Sequence, residues 1–199
     1  MFEKDLSSLI RSLAATDETA RQESAGAIFR GGSELVGQLL RQWLSDPRLA
    51  PYMVTATGFP EITVGVAVQP PNFELIRDAN GSPRLADVPP DQDAKEFELD
   101  FEHGIRLDIL TSTDPAGSGS IARYLRKYGE GIQQVEINVS DVDRAMEVLR
   151  ARFGVQPIYP ETRDGANGTR VNFFLAPVPT GGKVLIELVQ ISNRAHAQG

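Results

Sequence analysis

Near Gly58 the apolar residues of this chain change period, and that change limits the fold more than any other feature. Before it they recur every three or four residues: Leu6, Leu9, Ile10 and Leu13, then Leu35, Val36, Leu39, Leu40, Trp43 and Leu44. After it they alternate, as in Thr63-Val-Gly-Val-Ala-Val68, where Val64, Val66 and Val68 share one side and Thr63, Gly65 and Ala67 the other. A period of 3.6 belongs to helices and a period of two to half-buried strands. The chain therefore reads as an N-terminal helical extension over residues 1–50 followed by an α+β body.

Within the extension the spacing predicts three short helices. Asp17 caps the second, Gly31-Gly32 stops it, Ser33 caps the third, and Asp46-Pro47 ends that one. Beyond Gly58 the order of elements occurs twice. Strand 63–68 is followed by a helix opened by Pro70-Pro71 and closed by Asn80-Gly81, then by strands over 95–101 and 104–110 with His103-Gly104 as their turn. After a linking helix over 118–130, strand 131–139 leads to a helix capped by Ser140 and ended by Gly154. Extended segments follow over 155–159 and 170–175, and last comes Lys183-Val-Leu-Ile-Glu-Leu-Val-Gln190. Two tandem βαβββ units, 58–117 and 131–192, forming one curved mixed sheet cup, are the economical description.

Helices on one side of such a sheet leave the polar members of every strand on the other. Glu96, Glu98, Asp100, Asp108, Glu136 and Glu187 then become candidates for one cavity, although alternating polar residues are ordinary on a solvated strand face. Glu187 is the sharpest of them. A carboxylate among apolar strand neighbours is costly unless a cation, a metal or a hydrogen-bond donor stands beside it.

Composition narrows the classes of function. The chain has no Cys, which removes thiolate nucleophiles, thiolate metal sites and disulfides. A net charge of −7 without a basic cluster argues against nucleic acid, and no apolar stretch is long enough for a membrane helix. A cytoplasmic protein is the expectation. Only two His residues are present, His103 in a turn and His196 in the tail, so no Ser-His-acid arrangement can be assembled.

The stretch 118–190 resembles methylmalonyl-CoA epimerase and, more broadly, the vicinal oxygen chelate superfamily of glyoxalase I, extradiol dioxygenases and bleomycin-resistance proteins. Ile121-Ala-Arg-Tyr-Leu, Gly129-Glu-Gly-Ile-Gln-Gln, Asp141-Val-Asp-Arg-Ala, Thr169-Arg-Val-Asn-Phe and Gly182-Lys-Val-Leu-Ile-Glu-Leu carry the resemblance. The first unit matches more weakly, through Thr63-Val-Gly-Val-Ala-Val, Pro90-Asp-Gln-Asp and Ile105-Arg-Leu-Asp-Ile-Leu.

The resemblance implies a homodimer that takes a small-molecule substrate, an acyl-CoA, and holds a divalent metal while carboxylates move an α-proton. Carried over by position, the metal ligands fall on Thr63, Asp108, Gln134 and Glu187, and the catalytic carboxylates on Glu96 and Glu187. Thr63 and Gln134 stand where the family usually has His. Such a site would suit Mg²⁺, Mn²⁺, Ca²⁺ or Co²⁺ rather than zinc or iron, or would bind no metal. Three readings follow: an epimerase-like isomerase or lyase, a metal-free module binding a small molecule, and an interaction protein acting through its N-terminal helices.

Overall fold

A computed structural model describes residues 3–56, 58–178 and 181–190. The chain forms two compact units, one from residues 1–33 and 63–134 and the other from 34–62 and 135–199. Helices α1 (Glu3–Ser12) and α2 (Glu18–Ser45) lead into a two-residue hairpin, β1 (Thr55–Ala56) and β2 (Phe59–Pro60). The first repeat then supplies β3 (Ile62–Ala67), α3 (Pro70–Ala79), β4 (Ala94–Phe101) and β5 (Ile105–Ser112). After α4 (Ser120–Tyr128) come β6 (Gly131–Asn138), α5 (Val142–Phe153), β7 (Arg163–Asp164), β8 (Arg170–Pro177) and β9 (Lys183–Gln190). The mixed sheet has seven strands in the order β4-β5-β3-β6-β9-β8-β7, and with the N-terminal helices this is the expected α+β architecture.

In the first unit, Val64, Val66, Phe97, Leu107 and Ile109 form the helix-covered side of the sheet, all at most 1% exposed. Phe73 and Ile76 of α3 pack there, and the Phe73 and Phe97 rings meet edge to face at 4.8 Å. Ile10 and Leu13 of α1 and Ala25 and Ile28 of α2 belong to the same cluster. Those apolar stripes are therefore occupied as core, which removes them as a free surface for an interaction protein.

The N-terminal helices differ from expectation. Residues 18–45 form one helix of 28 residues, not two short ones. Ser33 caps nothing: its hydroxyl donates back to the Phe29 carbonyl at 2.7 Å, inside the helix. Gly31-Gly32 does not stop the helix because close packing needs the glycine at 32. A Cβ there would lie 2.5 and 2.7 Å from the two methyls of Val64. Tertiary contact thus overrides a helix penalty of about 1 kcal/mol for glycine. Gly32→Val should force Val64 out of place and cost about 1–3 kcal/mol, the range for overpacking, read by urea denaturation.

In the second unit, Trp43 of α2 is fully buried with its ring 5.8 Å from that of Phe174. The α2 helix ends at Asp46, whose carboxylate accepts from the Arg48 and Leu49 amides and pairs with Arg152. The guanidinium beside it and the amide donors hold the Asp46 carboxyl below its usual range. Two local expectations are corrected here. Asp141, not Ser140, caps α5, its side chain accepting from the Arg144 amide at 3.0 Å, while the Ser140 hydroxyl turns to the Tyr52 carbonyl. Residues 155–159 make a single bridge, Pro157 to Phe174, and no strand, because Pro157 and Pro160 have no N–H to give a ladder. The two residues of β7 border β8 instead.

Candidate functional site

The register of the first unit decides which polar residues meet. β4 runs antiparallel to β5 with Glu96 opposite Leu110, Glu98 opposite Asp108 and Asp100 opposite Arg106. β3 runs parallel to β5 with Gly65 beside Asp108 and Ala67 beside Leu110. Residues paired in this way share a sheet face, so Thr63, Gly65, Glu96, Glu98 and Asp108 all stand on the side away from α3. Gln134 of β6 joins them. A Cβ on Gly65 would lie 2.5 Å from Gln134 Cγ and 3.1 Å from Leu110 Cδ1, so the Gln134 side chain lies directly over β3 at the one position with no side chain of its own.

Four of the five expected site residues, Thr63, Glu96, Asp108 and Gln134, therefore belong to one face of the first unit. Thr63, Asp108 and Gln134 are buried, at 5%, 8% and 6% exposed. Glu187 belongs to β9 in the second unit, where it is half-buried and paired in register with Phe173. His103 sits in an exposed turn in the left-handed region, φ 63°, within ion-pair distance of Glu102. His196 lies outside the described residues.

Electrostatics set Glu96 apart. Burial, and then the charge of Glu98 two residues along the same face, push its carboxyl from an ordinary 4.5 up to about 7. The Glu98 carboxyl is also raised, by burial and by Asp100, and the charge of Arg106 partly opposes this. A carboxyl poised near neutrality can both take and return a proton, which neither a normal carboxylate nor a Lys does well. The wet-face expectation holds for Glu98 in part: the side chain reaches water, while the sheet still strips some of it from the carboxyl. Its influence on Glu96 was hidden because it follows from the partial burial of the neighbour.

One end of this face is closed by α4. Ile121 and Leu125 pack on Ala67 and Leu110, with Ala94 and Tyr124 at the margin. The Tyr124 hydroxyl donates to the Ile132 carbonyl at 2.8 Å, which ties the helix to β6. Two basic residues of α4 are turned elsewhere: Arg126 donates to the Pro115 and Gly117 carbonyls, and Lys127 lies over the Tyr128 ring at 4.8 Å.

The expected donor set is all oxygen and carries little charge for a divalent metal. Thr63 brings a neutral hydroxyl and Gln134 a neutral amide, leaving Asp108 as the first unit's one carboxylate among the expected ligands. Among the described residues no three His, Cys, Asp or Glu side chains are grouped so as to hold an ion. What the face offers is proton transfer and hydrogen bonding by the chain's own groups. No helix among the described residues is long and apolar enough to cross a membrane.

The chain is similar to the methylmalonyl-CoA epimerase of Mycobacterium tuberculosis, with 32% identity and a TM-score of 0.56 over 71% of this chain and 95% of that one. A Streptomyces coelicolor methylmalonyl-CoA epimerase variant in complex with 2-nitronate-propionyl-CoA is 25% identical, with a TM-score of 0.50 over 65% of this chain and 95% of its own. A methylmalonyl-CoA epimerase in complex with methylmalonyl-CoA and NH4+ is 26% identical, with a TM-score of 0.50 over 66% and 93% of the two chains. No protein-family profile and no curated protein matches the chain.

Proposed function

Because this chain belongs to the vicinal oxygen chelate superfamily, the one that contains methylmalonyl-CoA epimerase, we propose that it moves the α-proton of an acyl-CoA thioester. The observation that carries this reading is the Glu96 carboxyl, half-buried and titrating at about 7 on the same face as Thr63, Asp108 and Gln134. Ionised Glu96 takes the α-proton; the C–H bonding pair passes into the thioester carbonyl and leaves an enolate. The Thr63 hydroxyl and the Gln134 amide are neutral donors suited to stabilise that oxygen, a role worth several kcal/mol in a site that excludes water.

We assign the return of the proton to Glu187. This role rests on the family resemblance of Lys183-Val-Leu-Ile-Glu-Leu-Val-Gln190. Epimerisation then requires one carboxylate charged and one protonated at the start of each turn.

A second reading, a metal-free module that binds the thioester without reaction, is favoured by Gln134 lying over Gly65 in place of an imidazole. Solvent deuterium entering the α-position separates the two. We expect incorporation into an acyl-CoA, with kcat/KM rising about fivefold from pH 6 to pH 7 and about twofold more before levelling near pH 8, as Glu96 ionises. Binding without incorporation would establish the module instead. A rate unchanged in Glu187→Gln would remove that residue from the mechanism.

A further inference from the structure

We infer that Asp93 is a positioning residue: it fixes the start of α4 over the sheet, and α4 in turn keeps water from Glu96. The inference rests on Glu96 as the base of the proposed reaction and adds the contact that holds its surroundings in place.

Asp93 is the last residue before β4 and stands in the left-handed region, φ 48° and ψ 48°. Asp tolerates that conformation better than most residues, because its short polar side chain can bond nearby groups. In the β4–β5 register Ala94 lies opposite Ser112, so Asp93 reaches just past the end of β5. Its carboxylate accepts from the Thr113 hydroxyl, from the Asp114 amide at 3.2 Å and from the Ser112 hydroxyl at 3.4 Å. The same carboxylate packs against Gly119, the residue before α4. A Cβ at Gly119 would run into Asp93 Oδ2 and lie 3.1 Å from its Cγ. One side chain thus grips both ends of the 113–119 connection, and Arg126 braces its middle by donating to the Pro115 and Gly117 carbonyls at 2.8 Å. The Gly119 backbone, φ −58° and ψ 157°, would accept any residue, so the Asp93 contact is what calls for glycine there.

What α4 covers is the neighbourhood of Glu96. Leu110, directly across from Glu96, and Ala94, two residues before it on the same face, pack with Ile121 and Leu125. Of the titratable groups on these packed elements, β4 gives Glu98, β5 gives Asp108, and α4 gives Tyr124, whose hydroxyl is bound to the Ile132 carbonyl. Burial is the first cause of the raised Glu96 carboxyl and the charge of Glu98 the second. A helix displaced at its first turn lets water back to that carboxyl.

Carbon-13 NMR of the side-chain carboxyls of the full chain follows the Glu96 titration without substrate, and amide hydrogen exchange follows α4. In Asp93→Ala the Glu96 midpoint should fall by about one unit or more towards 4.5. The Arg123 and Tyr124 amides should exchange roughly tenfold faster. Gly119→Ala keeps every charge and should do the same, by pushing the carboxylate off its donors; it decides alone if Asp93→Ala does not fold. The two substitutions together should add little to Asp93→Ala, since the space for a methyl is then free. Asp93→Asn keeps an acceptor oxygen and a residue at home in the left-handed region, and should leave the midpoint near its wild-type value.

A midpoint unmoved in Asp93→Ala and Gly119→Ala overturns the inference, and so do additive effects of the two. A fall in Asp93→Asn equal to that in Asp93→Ala also overturns it, because the charge of Asp93 would then act on Glu96 directly. A shifted midpoint in a protein whose wild type incorporates no α-deuterium leaves the positioning role standing and removes the proposed reaction.

Discussion

Glu96→Gln should reduce α-proton exchange about 10²–10⁴-fold, the usual contribution of a positioned general base, while leaving thioester binding nearly intact. The amide is close in size to the carboxyl and lacks only the ability to take the proton. The same substitution should stabilise the fold, and the pH at which it does so is set by the direction of the shift. Below pH 4.5 the carboxyl is protonated in folded and unfolded chains alike, and it costs nothing. Between 4.5 and about 7 the folded chain keeps a proton that the unfolded chain has released, so stability falls as pH rises. Above about 7 the cost is complete.

The wild-type penalty at pH 8 is roughly 2–3 kcal/mol, after discounting the full shift for relaxation around Glu98. Urea denaturation of Glu96→Gln and wild type at pH 4 and pH 8 measures it. The two should coincide at the lower pH and separate at the higher. A variant less stable than wild type at pH 8 would show that Glu96 is a structural carboxylate. A residue that weakens the fold in its charged state, on a face with a defined set of donors, is the signature of stability given up for activity.

Trp43→Ala should have the largest effect on folding, a loss of about 3–5 kcal/mol, the range for truncating a buried aromatic. Trp43 is fully buried against Phe174, and in the second unit no other side chain of its size is so completely enclosed. Its indole Nε1 is buried with no hydrogen-bond partner, and leaving a donor in that state is itself costly. Trp43→Phe therefore loses ring volume but also removes the orphaned donor, and should cost less than half as much as Trp43→Ala. Denaturation midpoints of both variants decide it. Equal losses would mean that the indole nitrogen has a partner in solution.

Much of the fold was legible because its causes are local. The alternation in Thr63-Val-Gly-Val-Ala-Val68 and the proline pair at 70–71 state a strand and a helix start in residues that touch each other. The errors came where distant contact decides. Gly31-Gly32 reads as a helix stop, yet the approach of Val64 makes a small residue necessary at 32 and the helix continues. Residues 155–159 alternate well enough for a strand, but their prolines leave too few donors, and two residues at 163–164 take the edge. Ser140 and Asp141 are both good caps, and only the path of the chain chooses the second.

The candidate site divides in the same manner. The sequence by itself determined that a carboxylate would sit in an apolar strand at Glu187, that no thiolate is available, and that Thr63 and Gln134 bring only neutral oxygens and an amide to their strands. These are properties of side-chain chemistry, present before any folding. Only the tertiary structure decided that Gln134 crosses Gly65, that Asp108 faces Glu98, and that Glu96 is enclosed enough to titrate near neutrality while Glu98 and Asp100 stay exposed. Register and burial are collective quantities. A shift of one residue between β4 and β5 would turn every one of those carboxylates to the other face, and no neighbour in sequence reports how much water a folded chain leaves around it.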